Sequence, residues 1–168
     1  MLYIVFKAGI DFNNEELFVC ALAADAMVDM TPGNKLWGLE LPVFQGRDMV
    51  IQALKNSVCL LHTTHALTNP RTEITDNTAK LYAIVEAQHL PPNDHSRHCL
   101  MKNQYEASLV RSSDRWVIKH LSVDGVWFTG EPSVLYINQG LEINQHGDGH
   151  DSIRLKVNQS PYYIHSNL

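Results

Sequence analysis

The sequence is short of positive charge. It holds 13 lysines and arginines against 18 aspartates and glutamates in 168 residues, which gives a formal net charge of −5 with neutral histidines. Proteins that bind nucleic acids usually carry a basic patch that meets the phosphates, and no basic run stands out here. We therefore expect no nucleic-acid partner.

Paired cysteines and phosphate-binding glycine loops are also missing. Cys20, Cys59 and Cys99 are odd in number, far apart and without a CxxC pair, so they predict neither a disulfide framework nor a zinc site. No glycine-rich loop of the phosphate-binding type is present. Segment 146–151, HGDGHD, contains possible ligands, but its spacing matches no recognised metal motif. We expect no cofactor and no metal.

Long apolar runs are absent as well. No run approaches the length that spans a bilayer. The apolar start, residues 1–12, lacks both the basic cluster and the small-residue cleavage site of a secretory signal. We therefore expect a cytoplasmic protein without a membrane partner. A length of 168 residues with 45% hydrophobic residues predicts one domain with a substantial core.

Helical patterns fill the first third of the chain. Apolar residues in segment 2–10 fit one helical face, and Asn13 or Asn14 is placed to cap a second helix over about 15–24. The alternating segment 25–30 predicts a short strand. Segment 45–57 has the apolar spacing of an amphipathic helix.

A period of two then replaces the helical period. Strands are predicted over 59–75, 78–90, 100–111 and 115–128, with hairpin turns at 76–77 and 113–114. Helices followed by hairpin-linked strands are typical of an α+β domain. We expect residues 1–130 to pack N-terminal helices on a strongly curved antiparallel sheet. The polar segment 131–168 predicts an extension, partly a lid or arm over the core and partly flexible.

Three segments in this order resemble SnoaL-like proteins of the nuclear-transport-factor-2-like superfamily. AGIDFNNEELFVCALAADAMVDM (8–30) is similar to their opening helices, and TTHALTNPRTEITDNTAKLYAIVEAQH (63–89) to their central hairpin. YEASLVRSSDRWVIKHLSVDGVW (105–127) is similar to their final hairpin. The resemblance covers about residues 3–130 and implies a cone-shaped α+β barrel that encloses a pocket.

The resemblance also implies a site. Two lyases of the superfamily, scytalone dehydratase and hexachlorocyclohexane dehydrochlorinase, place an aspartate–histidine pair at positions that correspond to Asp11 and His65. Scytalone dehydratase has a further histidine that corresponds to His89, and a tyrosine where this chain has Ile10. The resemblance therefore implies a catalytic trio of Asp11, His65 and His89 that acts on a different substrate.

The residue types of this trio suit proton abstraction. A neutral imidazole is a suitable base near pH 7. A carboxylate bonded to the other ring nitrogen fixes the tautomer and stabilises the imidazolium that forms. In a regular strand His89 points inward beside His65, where it is a candidate donor to a carbonyl oxygen or a proton shuttle.

Four further residues are candidates for substrate binding. Strand alternation turns Asn103 and Tyr105 inward, and the Tyr105 hydroxyl is a possible donor to the substrate oxygen. Trp37 and Trp127 are candidates for stacking a flat, ring-containing ligand. Each of these residues also has an ordinary explanation as a packed core side chain.

Several functions fit this pattern. The first is a cofactor-independent lyase or isomerase, of the dehydratase or cyclase type, acting on a hydrophobic oxygenated small molecule of secondary metabolism. The alternative is a non-catalytic module that binds a small molecule or a partner, with Asp11 and His65 more than about 4 Å apart. A third, weaker reading is an incomplete or diverged copy. A homo-oligomer, dimer or trimer, is expected because the open sheet face in this superfamily usually packs on a second copy.

Overall fold

The computed structural model describes residues 2–136, 143–144 and 152–153, and it begins with two short helices. Helix α1 spans Leu2–Asp11 and helix α2 spans Glu15–Ala21. The predicted cap falls at Asn14, whose side-chain oxygen accepts hydrogen bonds from the backbone N–H groups of residues 16 and 17. Helix α2 ends three residues before the predicted position, because the chain becomes extended at residue 22 and pairs with the sheet.

The remaining elements include the predicted strands and helix in their predicted order, together with a short helix and a short strand between residues 34 and 45 that the sequence did not predict. They are β1 (Leu22–Asp29), α3 (Asn34–Trp37), β2 (Val43–Gln45), α4 (Arg47–Lys55), β3 (His62–Thr75), β4 (Thr78–Leu90), β5 (Cys99–Ser112) and β6 (Arg115–Gly130). Short 3-10 helices cover Thr31–Gly33, Val58–Leu60 and Pro132–Tyr136, and the two-residue strands β7 (Ile143–Asn144) and β8 (Ser152–Ile153) pair with each other.

Six strands form one curled sheet in the order β2-β1-β6-β5-β4-β3. The edge strands β2 and β3 are not paired with each other, so the sheet is curled rather than closed. The predicted α+β class is confirmed. The sheet is mixed, however, since β1 runs parallel to β6 while its other neighbours are antiparallel. Such a long-range pairing leaves no local mark in the sequence.

Tight turns and a bulge shape the long strands. Both predicted hairpins are present, and each turn begins with a residue in the left-handed region, Asp76 (φ 53°) and Ser113 (φ 55°). Strand β3 has a register shift between Thr68 and Arg71, where Asn69 has φ 51° and Pro70 follows. A proline is tolerated there because β3 is an edge strand and the bulge removes the need for a ladder hydrogen bond.

The helices cover the inner face of the sheet and close the core. The rings of Phe6 and Phe18 join α1 to α2 edge-on, with centroids 5.9 Å apart. Beyond β6 the chain returns to the same core, where Val134 and Leu135 are buried. The first turn of the predicted extension therefore packs on the domain. Ile137, a residue of the predicted lid or arm, and segment 146–151, which contains possible metal ligands, lie outside the described residues.

Within the described ranges, no helix has the length and apolar character that a bilayer crossing requires.

Candidate active site

A cavity of about 80 Å³ lies between the inner face of the sheet and the helices. A single water molecule needs about 10–15 Å³ of such space, so the cavity admits several waters or a small organic molecule. Its wall is mainly apolar and includes Ile10, Met101 and Leu135. The polar side chains on the wall are Lys7, Trp37, His65, His89, Asn103 and Tyr105. The cavity thus contains two imidazoles, one amine and three other hydrogen-bonding groups in apolar surroundings.

The Asp11 carboxylate binds His65 at the cavity edge. Asp11 is the last residue of α1, and its Oδ1 lies 2.6 Å from His65 Nδ1. The same oxygen accepts a hydrogen bond from the Thr63 hydroxyl at 2.8 Å, and Oδ2 accepts one from the His65 backbone N–H at 2.9 Å. Because a carboxylate accepts, His65 Nδ1 carries the proton and Nε2 keeps its lone pair.

The protonation states at neutral pH suit a base and its orienting group. The side chain of His65 is only 4% exposed, and burial lowers its pKa to about 4, with the charge of Lys7 acting in the same direction. Burial alone would raise the pKa of Asp11. The hydrogen bonds from His65 and Thr63 outweigh it and hold that pKa below its usual value. At pH 7 the pair is therefore a carboxylate beside a neutral imidazole.

His89 lies next to His65, as the strand alternation predicts. Its ring is buried, and Nδ1 lies 3.3 Å from the backbone oxygen of Cys99. Since a carbonyl only accepts, this contact also leaves the lone pair on Nε2. Burial lowers the pKa of His89 to about 3. The neutral ring thus offers an acceptor to the cavity, which favours the proton-shuttle role over donation to a carbonyl oxygen.

Lys7 is a site residue that the sequence analysis missed. It is 6% exposed, and its Nζ donates a hydrogen bond to the Tyr105 hydroxyl at 2.8 Å. Burial lowers the pKa of Lys7 to about 7, against the opposing effect of Asp11. Burial also raises the pKa of Tyr105, and a hydrogen bond from Asn103 opposes that rise. One signal was available, because Lys7 lies one helical turn before Asp11 in an otherwise apolar helix.

Trp37 and Asn103 line the same cavity, and each has a buried polar atom. Neither Trp37 Nε1 nor Asn103 Oδ1 has a hydrogen-bond partner among the residues that the structure describes. Trp37 Nε1 lies against the sheet at Gly125, where a Cβ would be only 2.8 Å away, so the close approach needs a residue without a side chain. A buried donor and a buried acceptor without partners are costly.

Trp127 is separated from the other predicted site residues. It is 41% exposed and does not line the cavity. Lys102 pairs with Trp127 while Asn103 pairs with Gly125, so β6 contains one extra residue at this point. This bulge turns Trp127 to the outer face, beside Lys102, and corrects the expectation that it stacks on a ligand in the cavity.

The outer face of the sheet has a second, more open concavity of about 520 Å³. It lies among Asn69, Arg71, Tyr82, Gln104 and Glu106, and neither His65 nor His89 reaches it. Because the two histidines do not line this larger depression, the smaller cavity is the better candidate site.

Other histidines and possible metal ligands lie apart from this site. His62 faces outward on β3, and its Nδ1 lies 3.0 Å from Nε2 of His95. Within residues 2–136 and the two described short strands, no group of three or more histidine, cysteine, aspartate or glutamate side chains is arranged to hold a metal ion.

The fold and cavity define the class of protein. Helices on a curled six-stranded sheet, with polar groups in a cavity between them, are the architecture of the nuclear-transport-factor-2-like superfamily. Residues 6–122 match the family model of the SnoaL-like domain. The chain belongs to this SnoaL-like domain family.

Solved structures share the fold at low sequence identity. A protein of Novosphingobium aromaticivorans, provisionally described as an aromatic ring hydroxylase, has a TM-score of 0.68 and 18% identity over 80% of this chain and 91% of its own. Another protein of that organism, provisionally described as a scytalone dehydratase, has a TM-score of 0.65 and 18% identity over 77% and 82%.

A third similar structure is hexachlorocyclohexane dehydrochlorinase LinA-type3 from Novosphingobium barchaimii LL02. Its TM-score is 0.64, with 18% identity over 77% of this chain and 84% of that chain. No functionally curated protein matches the sequence significantly. Because the described activities differ and the sequence identities are low, these structures establish the fold alone.

Proposed function

We propose that this chain is a cofactor-independent lyase or isomerase in which His65, oriented by Asp11, removes a proton from a small oxygenated molecule. The observation that carries the proposal is the 2.6 Å contact between Asp11 Oδ1 and His65 Nδ1 at the edge of a mainly apolar cavity. The alternative of a binding module without catalysis predicted a separation above about 4 Å, so this contact favours catalysis.

The proposed reaction begins when His65 Nε2 takes a proton from carbon next to a carbonyl, or from a hydroxyl. The Asp11 carboxylate stabilises the imidazolium that forms. Lys7 Nζ and the Tyr105 hydroxyl are donors in the same cavity, where they are suited to stabilise negative charge on the substrate oxygen. His89 Nε2 is placed to accept a proton and return it at another position. Dehydration, double-bond migration and ring closure all share this first step.

Two of the similar structures support this class of reaction, since one is described as a dehydratase and one as a dehydrochlorinase. Both names denote eliminations, one of water and one of hydrogen chloride. The small volume and the mainly apolar wall of the cavity favour a small hydrophobic substrate. The hydrogen-bond donors on that wall favour a substrate with at least one oxygen. A role in secondary metabolism comes from the family resemblance and remains part of the proposal.

The test is exchange of hydrogen for deuterium from solvent at the carbon next to the carbonyl, followed by NMR over a panel of small ketones and enones. The wild-type protein is expected to accelerate exchange in at least one compound, and His65→Ala to reduce that rate by about 10²–10⁴-fold. His62→Ala, on the opposite face of the same strand, is the matched control and is expected to keep the rate. Equal rates in wild type and His65→Ala would exclude His65 as the base.

The assembly expected of this chain is a homo-oligomer, a dimer or trimer, formed through the outer face of the sheet. That face is polar and carries cross-strand ion pairs between Lys80 and Glu106 and between Lys102 and Glu86. The wide concavity on it gives a surface for a second copy. Light scattering coupled to gel filtration tests this, and a monomer at all concentrations would contradict it.

A further inference from the structure

Lys7 differs from the other lysines whose side chains the structure describes. Those side chains are exposed or half-buried, whereas Lys7 is 6% exposed and lies on the cavity wall. Burying a charged amine costs far more than burying a neutral one. The groups that face Lys7 include Asp11 on its own helix, His65 on β3, His89 on β4 and Tyr105 on β5.

Part of the Lys7 amine is therefore in the unprotonated, nucleophilic form near neutral pH. Its pKa of about 7 leaves a large fraction unprotonated at pH 7, whereas an exposed lysine with a pKa near 10.4 is almost wholly protonated. Desolvation in an apolar pocket is the usual way in which proteins activate a lysine towards carbonyl compounds.

We propose that Lys7 Nζ forms an imine with a small aldehyde or ketone in the cavity, and that this covalent imine is the species from which His65 removes a proton. The inference rests on the proposed function, which it deepens by naming the substrate class as carbonyl compounds and the mode of activation as covalent. Its basis in geometry is the shared cavity of Lys7, Tyr105 and the two histidines.

The chemistry is balanced without any co-reactant. The Nζ lone pair attacks the carbonyl carbon, a C–N bond forms, and the C=O π pair moves to oxygen. That oxygen takes one proton from the nitrogen and a second from solvent through the Tyr105 hydroxyl. The C–O bond then breaks and water leaves, so the nitrogen keeps one proton in a protonated imine. This imine draws electrons from the neighbouring carbon, and His65 takes a proton from that carbon to leave an enamine. Return of a proton to the carbon restores the C=N bond, which water hydrolyses to the carbonyl compound and the Lys7 amine.

The neighbours of Lys7 fit these steps. The Tyr105 hydroxyl is one hydrogen bond, 2.8 Å, from the reacting nitrogen. Burial raises its pKa and keeps it protonated, so it can pass a proton to the departing oxygen. The two histidines offer unprotonated Nε2 atoms to the same space, as their Nδ1 contacts imply.

The experiment is reductive trapping on the full-length protein. The protein is incubated at pH 7 with butanal or with cyclohexanone, in the presence of sodium cyanoborohydride. This reagent reduces an imine to a stable secondary amine. Mass spectrometry of the intact protein and of its peptides then gives the rate at each lysine. Lys7 is expected to react at least about tenfold faster than the exposed Lys35, because burial leaves a large fraction of the Lys7 amine unprotonated at pH 7.

Variants make the result specific. Lys7→Met is expected to lose the fast modification, and Lys35→Met is expected to keep it. If Lys7→Met does not fold, the peptide map of the wild-type protein still decides the matter. Modification of Lys7 no faster than Lys35 in folded wild-type protein would overturn the proposal, as would deuterium exchange that persists at the wild-type rate in Lys7→Met.

The same assay separates this inference from the proposed function. His65→Ala is expected to trap carbonyl compounds on Lys7 while losing deuterium exchange. Trapping without exchange in the wild-type protein would support Lys7 as a nucleophile and contradict His65 as the base. Exchange without trapping would support His65 as the base and contradict Lys7 as a nucleophile.

Discussion

The rings of His65 and His89 stand edge to face, with centroids 5.7 Å apart and planes at 87°. Each ring has its Nδ1 against an acceptor, Asp11 in one case and the Cys99 backbone oxygen in the other. The cavity wall therefore carries two unprotonated ring nitrogens, the Nε2 atoms of His65 and His89, which point in different directions. Such a pair is suited to removing a proton at one position of a substrate and returning it at another.

Asp11→Asn is expected to remove most activity while leaving the cavity in place. An amide at this position can present its NH2 group to His65 Nδ1, which then becomes the acceptor and places the proton on Nε2. We expect a fall of about 10³–10⁴-fold in the rate of deuterium exchange. Asp25→Asn, which alters an exposed partner of Lys119, is the control and is expected to keep the wild-type rate. Wild-type exchange in Asp11→Asn would contradict the orienting role.

Thr63→Val is expected to lower the free energy of unfolding. It removes the hydroxyl that donates to Asp11 Oδ1 at 2.8 Å, and hydrogen bonds to charged groups contribute about 1.5–3 kcal/mol. Urea denaturation is expected to show a loss of stability in this range. Thr64→Val, one residue along on the exposed face, serves as the matched comparison and is expected to change stability by less than about 0.5 kcal/mol. Equal effects of the two substitutions would argue against the bond.

Stability is expected to fall as the pH drops below 6.5. Burial holds the pKa of His65 at about 4 and that of His89 at about 3, whereas in the unfolded chain both are near 6.5. Between these values the unfolded chain binds the protons and the folded chain does not, so acid favours unfolding. At pH 5 each histidine contributes about 2 kcal/mol of this loss.

Urea denaturation at pH 7 and pH 5 measures that loss. His89→Leu is expected to reduce the pH dependence, because one of the two buried histidines is removed. His62→Ala, an exposed histidine, is expected to leave it unchanged. Equal stability of the wild-type protein at the two pH values would show that the histidines titrate normally.

Gly125→Ala is expected to displace Trp37. The added Cβ would lie 2.8 Å from Trp37 Nε1 and 2.6 Å from a methyl carbon of Leu36, and such overpacking costs about 1–3 kcal/mol. Thermal unfolding and tryptophan fluorescence are the measurements. Asp124→Ala, at the exposed neighbouring position, is expected to leave both nearly unchanged. An unaltered Trp37 environment in Gly125→Ala would contradict the close approach.

Local features of this fold were predictable from the sequence. The Asn14 cap, both hairpin turns and the inward positions of His89, Asn103 and Tyr105 depend on neighbouring residues and on strand alternation. The contact of Asp11 with His65 joins residues 54 positions apart, and only the family resemblance indicated it. Thr63 shares a strand face with His65, so its hydrogen bond to Asp11 was within reach of the same alternation.

Other features depend on distant parts of the chain. The parallel pairing of β1 with β6 and the extra residue in β6 are set by packing between separate elements. That single residue moved Trp127 to the opposite face, because side chains alternate along a strand. Lys7 was missed for a related reason. Its burial and its lowered pKa depend on the sheet residues that close over α1.

The position of Asp11 at the carboxyl end of α1 has an electrostatic consequence. Aligned peptide dipoles give the end of a helix a partial negative charge, which disfavours a carboxylate and favours a cation there. Asp11 remains ionised because the Thr63 hydroxyl and the His65 N–H groups bind it. The field of the helix then acts on whichever partner gains a proton. In the proposed reaction, the backbone of α1 would therefore help to stabilise the imidazolium on His65, in addition to the help from the Asp11 carboxylate.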